Sequence, residues 1–242
     1  MVKELNKAII LAAGKGSRLQ NILKGKPKSL LKIKGRSLLN MLIDKLLKLN
    51  IKKIVIVTGF KSSKIKREIR KKVKFVYYPN FNKTNNLHTL LHVKDELSEP
   101  FVCLFSDVIF EIKILKKLIS QKGDFVLAID KKSNLLGTMR VKVKKNSIRE
   151  IGSHIELKNS DGNFIGFSKF SKNGAKILKR SLISFKGKNF NNYYTESLNK
   201  LIKQGEKVSF VDISNFQWKE IDTSEDFTLA KKILKKILLN ER

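Results

Sequence analysis

The chain has 242 residues, of which 41% are apolar and 30% charged, and 52 Lys and Arg against 21 Asp and Glu give a formal net charge of +31. This length can form one sizeable core, and we expect a single domain over residues 1–242. No apolar run approaches the roughly 18 residues of a membrane span, and the early apolar stretch leads into Gly-Lys-Gly rather than a cleavage site. We therefore expect neither a secretory signal peptide nor stable membrane insertion.

Short apolar runs alternate with helical patterns, which is typical of βα units on a mostly parallel sheet. The predicted strands are Lys7–Ala12, Lys53–Thr58, Val73–Tyr77, Phe101–Ser106, Asp124–Ile129 and Lys207–Ile213. The predicted helices are Ser37–Leu49, Ser62–Lys71, Asn85–Leu97, Ile112–Gln121, Asn173–Arg180 and Thr195–Gln204, with a closing helix from Ser224. Two β-rich pieces, GTMRVKVKKNSIREIG and GNFIGFSKF, interrupt this rhythm after Asp130. The pattern predicts an α/β fold with a mostly parallel central sheet and a small β-rich insertion.

The positive charge suggests an anionic partner, but its distribution is that of a solvated surface. The densest basic block, SSKIKREIRKKVKF, places Ile65, Ile69 and Val73 on one helix stripe with lysines on the other faces. Lysines elsewhere lack the interleaved aromatic residues of a stacking platform, so we expect no nucleic-acid partner. The single cysteine, Cys103, lies in the apolar run FVCLF. No internal disulfide can form, and a reducing, cytoplasmic location is expected.

The first predicted strand ends in a loop, AAGKGSRL, that is poor in side chains and then becomes basic. It lacks the third glycine of a dinucleotide-binding fingerprint, because Leu19 stands there, and the closing Gly-Lys-Ser/Thr of a P-loop, because Ser17 and Arg18 follow Gly16. Bare backbone at a strand exit can point N–H groups at anionic oxygens, with Arg18 and Lys28 as outer cations. On the residues alone, a phosphate site and an ordinary turn with surface cations both remain open.

Two motifs, AIILAAGKGSRL and KPKSLLKIKGRSLL, resemble the signature of the sugar-nucleotidyltransferase-like family, whose members join a nucleoside triphosphate to a phosphorylated small molecule. Further matches follow in the same order across nearly the whole chain: TNNLHTL, FSDVIFE, REIG, NFIGFSKFS, YYTESLNKLI and WKEIDTSEDF. Together they resemble the small bacterial branch that contains phosphocholine and 2-aminoethylphosphonate cytidylyltransferases. The resemblance implies a Rossmann-like α/β/α sandwich that transfers CMP from CTP to a small phosphorylated or phosphonate acceptor, releasing pyrophosphate.

The same resemblance implies catalytic roles for Arg18, Lys28, Asp107 and Asp222. Attack by a phosphate or phosphonate oxygen on the α-phosphorus brings two anions together, so catalysis is chiefly alignment and charge neutralisation. Arg18 would act on the departing pyrophosphate and Lys28 near the α-phosphate. The implied nucleotide-binding residues are Leu11, Ala12, Ala13, Gly14, Lys15, Gly16, Ser17, Arg18, Lys28, Thr84, Asn85, Asn86 and Ser106.

Asp107 and Asp222 are the implied ligands of Mg²⁺, a hard cation that prefers carboxylate and phosphate oxygens. Asp107 follows the apolar run FVCLFS and would emerge at the carboxyl edge of the sheet. Asp222 follows the strand-like stretch WKEI. On sequence alone, however, Asp222 or Thr223 also fits the N-cap of the closing helix.

The start of the helix in TNNLHTL would read the nucleobase. Thr84 and Asn85 are good N-cap types, and the resemblance places both beside cytosine with Asn86. His88 and His92 lie at i and i+4, but no Glu stands between them in a zincin arrangement and no third ligand is near. We expect no metal at these histidines.

The implied acceptor-binding residues are Gly166, Tyr194, Thr195 and Glu196, with Glu196 facing a cationic amine. The chain after Asp130 lacks the tryptophan-containing segment of the phosphocholine branch. An aromatic cage for a quaternary ammonium is therefore not expected, and a primary amine such as 2-aminoethylphosphonate is the favoured acceptor.

Three alternative functions remain open at this stage. A sugar-1-phosphate nucleotidyltransferase using UTP or dTTP would carry the same first motifs. The net charge of +31 would also fit a basic nucleic-acid-binding protein. The stretch DFTLAKKILKKILLNER would fit a membrane-surface protein, because Phe227, Ala230, Leu234 and Leu238 form an apolar stripe edged by lysines.

Overall fold

The computed structural model describes residues 5–133 and 138–241. Its strands are β1 (Lys7–Ala12), β2 (Lys32–Ile33), β3 (Arg36–Ser37), β4 (Lys53–Thr58), β5 (Lys74–Tyr77), β6 (Phe101–Phe105), β7 (Val108–Phe110), β8 (Phe125–Asp130), β9 (Met139–Lys144), β10 (Ser147–Gly152), β11 (Gly162–Phe170), β12 (Val208–Asp212) and β13 (Trp218–Glu220). Its α-helices are α1 (Gln20–Leu23), α2 (Leu38–Lys48), α3 (Ser62–Glu68), α4 (Asn86–His92), α5 (Ile112–Ser120), α6 (Lys172–Ile183), α7 (Thr195–Lys203) and α8 (Ser224–Asn240).

Within the described ranges, nine strands form the central sheet, in the order β10-β9-β11-β6-β1-β4-β5, with β8 beside β11 and β12 beside β8. Seven of these strands run in one direction, and β10 and β11 run against them. The strands β9 to β11 are the predicted β-rich insertion, and they continue the sheet. This arrangement confirms the predicted α/β class with a mostly parallel central sheet.

Strand β1 shows that the sheet is covered on both faces. Ile9 and Leu11 pack in one hydrophobic cluster with residues of α4, α6 and α7. Ala8, Ile10 and Ala12 pack in a second cluster with residues of α2 and α5. Successive side chains of a strand point to opposite faces, so a strand buried on both faces is a continuous apolar run. The helices therefore lie on both sides of the sheet.

The closing helix α8 packs against a third hydrophobic cluster beside the main sheet. Its Ala230, Leu234 and Ile237 are buried there, and Ile109 of β7 and Ile221 after β13 belong to the same cluster. The apolar stripe of this helix is thus largely covered by the protein, although Leu238 remains 40% exposed. Among the helices of the described residues, none is long and apolar enough to cross a lipid bilayer.

Two predicted helices are shorter in the structure. Helix α3 ends at Glu68, because Ile69 takes an extended conformation with φ −91° and ψ 104° while its side chain stays buried. The predicted helix Asn85–Leu97 divides into α4 and a 3-10 turn, Lys94–Glu96, because Val93 leaves the helical conformation at φ −101° and ψ 28°.

The other predicted elements occur with ends shifted by at most three residues. Gly137, which begins one predicted β-rich piece, lies outside the described residues. The single-domain organisation over residues 1–242 stays a prediction.

Candidate active site

A cavity of about 410 Å³ opens at the carboxyl ends of β1 and β6. Open α/β sheets bind ligands at this edge. Most of the residues singled out from the sequence line the cavity: Leu11, Ala12, Ala13, Gly14, Gly16, Ser17, Arg18, Lys28, Thr84, Asn85, Asn86, Ser106, Asp107, Gly166 and Asp222. Lys15 is exposed and does not line it.

The loop after β1 offers almost bare backbone to the cavity. Gly14 is exposed, and a Cβ built there would have no atom within 4 Å. Gly16 has φ +67°, and a Cβ there would lie 2.8 Å from Cβ of Lys28. A left-handed conformation and this close approach both require glycine. The loop can therefore pass directly beside Lys28, which brings its backbone and the lysine to the same side of the cavity.

Lys28 lies between two carboxylates that come from distant parts of the chain. Its Nζ is 2.7 Å from Oδ2 of Asp107 and 2.5 Å from Oδ1 of Asp222. Burial alone would lower the pKa of the Lys28 ammonium, but the two carboxylates outweigh burial and raise that pKa above its usual value. Arg18, whose side chain is 66% exposed, donates to Oδ2 of Asp222 at 2.9 Å. The Asp222 carboxylate therefore pairs with one largely buried cation, Lys28, and one exposed cation, Arg18.

The two aspartates meet because β7 and β13 pair outside the main sheet. The antiparallel register sets Val108 opposite Glu220, and the Ile221 N–H donates to the Asp107 carbonyl at 3.0 Å. Thr223 is the N-cap of α8 and forms a capping box with Asp226. The N-cap role that the sequence left open between Asp222 and Thr223 thus belongs to Thr223, and the Asp222 carboxylate is available to Lys28 and Arg18.

Glu220 is a third carboxylate of this cluster, which the sequence reasoning missed. One oxygen from each of Asp107, Glu220 and Asp222 lies within 4.8 Å of the others. Burial, and then the charges of Asp107 and Asp222, raise the pKa of Glu220 to about 8. The available signal was spacing, because residues two apart in an extended segment share one face and the motif WKEID contains both acids.

The cluster fits a divalent cation such as Mg²⁺. Oδ1 of Asp107 is buried and receives no hydrogen bond from any described residue. A buried carboxylate oxygen without a partner is costly unless another ligand satisfies it. The donors are carboxylate oxygens, which hard cations prefer. Asp107, Glu220 and Asp222 are therefore the residues that could hold the ion.

The three polar residues at the start of α4 line the cavity and also hold neighbouring chain. The Thr84 hydroxyl is 2.7 Å from the Tyr78 hydroxyl. Asn85 caps α4, since its Oδ1 accepts from the Asn86 N–H at 2.8 Å. Asn86 Oδ1 accepts from the Tyr194 N–H at 2.8 Å. Each amide oxygen keeps a second lone pair for a ligand. Phe81 and Thr89 line the cavity nearby, and the sequence did not single them out.

On the acceptor side, Gly166 lines the cavity but Tyr194, Thr195 and Glu196 do not. Tyr194 is fully buried, and its hydroxyl is 2.5 Å from the Ser168 hydroxyl. Thr195 is 1% exposed, and a Glu196 oxygen accepts from Asn199 Nδ2 at 3.3 Å. The adjacent Tyr193 lines the cavity instead. Sequence alone could not separate the two tyrosines, because the turn before α7 decides which ring enters the core.

Other residues on this side came to light only in the structure. Thr138, Met139, Phe164 and Ile165 all line the cavity. Strand β11 changes its pairing register between Phe164 and Ser168, and Gly166 lies inside this irregularity with φ +83°. A bulge with a left-handed glycine is a common way to bend a strand beside a site.

The chain is similar to known nucleotidyltransferases in sequence. The family model described as the MobA-like NTP transferase domain matches residues 8–144. The CTP:phosphoglutamine cytidylyltransferase of Campylobacter jejuni is 28% identical over 246 residues, covering 90% of this chain and 96% of that protein. The bifunctional IPC transferase and DIPP synthase of Aquifex aeolicus is 29% identical over 232 residues, covering 95% of this chain. This chain spans 52% of the length of the Aquifex protein.

Solved structures show the same fold. The inositol-1-phosphate CTP transferase of T. maritima superposes with a TM-score of 0.84 at 22% identity, covering 98% of each chain. The CTP:phosphocholine cytidylyltransferase of Streptococcus pneumoniae superposes with a TM-score of 0.77 at 20% identity, covering 94% of this chain and 98% of that one.

We predict that Gly166→Ala destabilises the protein more than Gly187→Ala does. Both glycines have positive φ, +83° and +74°, so each substitution carries a backbone cost of about 1–2 kcal/mol. At Gly166 the new Cβ would also fall 2.2 Å from the Phe105 ring, whereas at Gly187 it would meet nothing within 4 Å. Urea unfolding should show an extra loss of about 1 kcal/mol or more in the free energy of unfolding for Gly166→Ala. Equal losses in the two variants would contradict the close approach of β11 to Phe105.

Proposed function

This chain belongs to the MobA-like NTP transferase domain family, and we propose that within this family it is a cytidylyltransferase. It transfers CMP from CTP to a small phosphorylated or phosphonate acceptor and releases pyrophosphate. The proposal extends the family membership to a particular nucleotide and acceptor class. Two CTP-using proteins among its relatives and structural neighbours, from Campylobacter jejuni and T. maritima, support the choice of nucleotide.

The observation that carries the proposal is the ion cluster on the cavity wall. Lys28 is fixed between Asp107 and Asp222, beside the bare backbone of Gly14 and Gly16. A phosphate or phosphonate oxygen that attacks an α-phosphate must approach another anion, so the site has to supply positive charge before the reaction begins. Lys28 would act at the α-phosphate, and the exposed Arg18 at the leaving pyrophosphate.

Mg²⁺ is the proposed cofactor. Asp107 and Asp222 would hold it, with Glu220 as a third ligand. When bound, the ion supplies further positive charge for the triphosphate oxygens. The protein contributes the fixed carboxylates, whose spacing is set by the β7–β13 pairing, and the Lys28 ammonium that keeps them together.

The proposed nucleotide-binding residues are those expected from the sequence, but the role of Lys15 is reduced. The amide groups of Asn85 and Asn86 and the hydroxyl of Thr84 line the cavity, and they are ordered by bonds to neighbouring chain before any ligand binds. Preorganised amides can meet the 4-amino donor and the ring acceptors of cytosine at small entropic cost. Lys15, which is exposed, would act only at the outer end of the triphosphate.

The proposed acceptor is small and sits near Gly166 and Tyr193. The wall on that side is formed by Met139 and Phe164 together with the Tyr193 ring. We expect Tyr193 to take the part that the sequence suggested for Tyr194. Glu196, which pairs with Asn199, would act on a cationic amine at longer range.

We predict that Asp107→Asn and Asp222→Asn each lower kcat by about 100-fold or more while the fold survives, because each removes a charged ligand of the proposed ion. Pyrophosphate release measures kcat, and thermal unfolding reports the fold. The matched control is Asp44→Asn, since Asp44 is also ion-paired, with Arg36 and Lys71, at a surface away from the cavity. Activity within a few-fold of wild type in either site variant would contradict the metal assignment.

The substrate prediction is tested by a pyrophosphate-release screen. It crosses CTP, UTP, dTTP and the purine triphosphates with 2-aminoethylphosphonate, phosphocholine, phosphoethanolamine, glycerol phosphate, inositol 1-phosphate, phosphoglutamine and glucose 1-phosphate. CTP should be the preferred nucleotide, and a primary amine should be preferred over phosphocholine, because polar recognition rejects an analogue that lacks the N–H donor. The Asp107→Asn protein is the blank.

Each outcome of the screen has a distinct meaning. Efficient use of glucose 1-phosphate with UTP or dTTP would contradict both the nucleotide and the acceptor. Preference for phosphocholine or inositol 1-phosphate with CTP would support CMP transfer and contradict the amine acceptor alone, whereas preference for phosphoglutamine, which has a primary α-amino group, would support both.

A further inference from the structure

The start of α4 holds the backbone of residues 188–193, which we call the 188–193 segment. The Asn85 N–H donates to the Phe190 carbonyl at 2.7 Å, and the Leu87 N–H donates to the Asn192 carbonyl at 3.3 Å. The first N–H groups of a helix have no partner inside it. The segment supplies a partner for one of these groups, at Leu87, and for the N–H of the N-cap residue Asn85.

His88 adds a side-chain contact to the same segment. His88 is 7% exposed, and its Nε2 lies 2.9 Å from the Lys188 carbonyl. A carbonyl only accepts, so Nε2 carries the proton and donates. The ring centroid is also 5.2 Å from that of Phe190, which is itself 50% exposed. His88 does not line the cavity.

The segment ends at Tyr193, which does line the cavity. The next residue is anchored twice, because the Tyr194 N–H donates to Asn86 Oδ1 at 2.8 Å and its hydroxyl bonds that of Ser168. Tyr193 is therefore held on its C-terminal side by Tyr194. On its N-terminal side it is held by the segment and by the bonds of that segment to α4.

We propose that His88 is a positioning residue for the acceptor side of the cavity. It holds the 188–193 segment, and through it Tyr193, where a phosphorylated acceptor binds. This inference rests on the proposed function, since it assumes that the acceptor meets Tyr193. The segment also accepts hydrogen bonds from Asn85, whose N–H and Nδ2 donate to the Phe190 and Asn191 carbonyls. Loss of His88 should therefore weaken acceptor binding most and nucleotide binding less, because Lys28 is held by its own carboxylate partners. Small misplacements of a substrate-binding wall are enough to weaken binding and slow turnover.

His92 provides a matched control on the same helix. It lies one turn after His88, and its Nε2 is 3.1 Å from the Tyr77 carbonyl at β5. Its ring centroid is 5.0 Å from that of Tyr78. His92 therefore makes the same kinds of contact as His88, but to a different part of the chain.

The test compares His88→Ala, His88→Gln and His92→Ala in steady-state kinetics with CTP and 2-aminoethylphosphonate. In His88→Ala the KM for 2-aminoethylphosphonate should rise about tenfold, and the KM for CTP should rise by a smaller factor, since the segment contacts the proposed nucleotide site at Asn85. His88→Gln, which keeps a donor for the Lys188 carbonyl, should recover part of the loss. His92→Ala should leave both KM values unchanged. Amide hydrogen exchange at residues 188–193 should be faster in His88→Ala than in wild type and His92→Ala.

Several results would overturn the inference. These are a rise in the KM for CTP equal to that for the acceptor, unchanged KM values in His88→Ala, and unchanged amide exchange at residues 188–193. If the wild-type protein turns over no phosphorylated acceptor in the screen above, the proposed function fails, and the role of His88 in acceptor binding fails with it. The exchange comparison still decides whether His88 holds the segment.

Discussion

The structure around the cavity depends on the Lys28 ammonium group, which offsets the negative charge of a cluster of acidic side chains. Asp107, Glu220 and Asp222 bring three carboxylates within 4.8 Å of one another, and like charges at that distance repel strongly in a partly buried setting. Lys28 is inserted between two of them, and burial together with the charges of those two raises the pKa of the third, Glu220. Arg18 brings a second positive charge to Asp222. The cluster can therefore persist in the folded protein while still offering carboxylate oxygens to a divalent ion.

Several otherwise separate features serve to keep this cluster in place. Gly16 lets the loop after β1 pass beside Lys28, and the pairing of β7 with β13 sets the distance between Asp107 and Asp222. The capping box of Thr223 and Asp226 fixes the start of α8 next to Asp222. The buried face of α8, with Ala230 and Leu234, packs in the third hydrophobic cluster with residues next to the β7–β13 pair. Packing remote from the cavity thus determines the geometry of the charges within it.

The sequence predicted those features whose signal lies in neighbouring residues, and it was less informative where residues far apart in the chain meet. Strands β1 and β4 were located to the residue, because a strand buried on both faces is an unbroken apolar run with polar ends. Helix α3 was predicted too long, since Ile69 continues the apolar periodicity after the backbone has left the helix. Glu220 was missed although it stands two residues before Asp222, a spacing that places both acids on one face of an extended segment. The sequence could not predict that Tyr193 rather than Tyr194 lines the cavity, because the burial of Tyr194 depends on its contacts with Asn86 and Ser168. Family resemblance supplied the pairing of Asp107 with Asp222, which lie 115 residues apart in sequence, and no local pattern could have supplied it.

The central claim is that Lys28 and its carboxylates form the reaction centre, and Lys28→Ala tests it most directly. Steady-state kinetics with CTP and the best acceptor should show kcat reduced by about 100-fold or more with the KM for CTP changed only a few-fold, because the Lys28 charge acts on the transition state more than on the bound nucleotide. The control is Lys32→Ala, since Lys32 is a nearby lysine whose side chain is 51% exposed and pairs with Glu68 at the surface. A Lys28→Ala protein that is folded and shows a raised KM for CTP with an unchanged kcat would contradict the account.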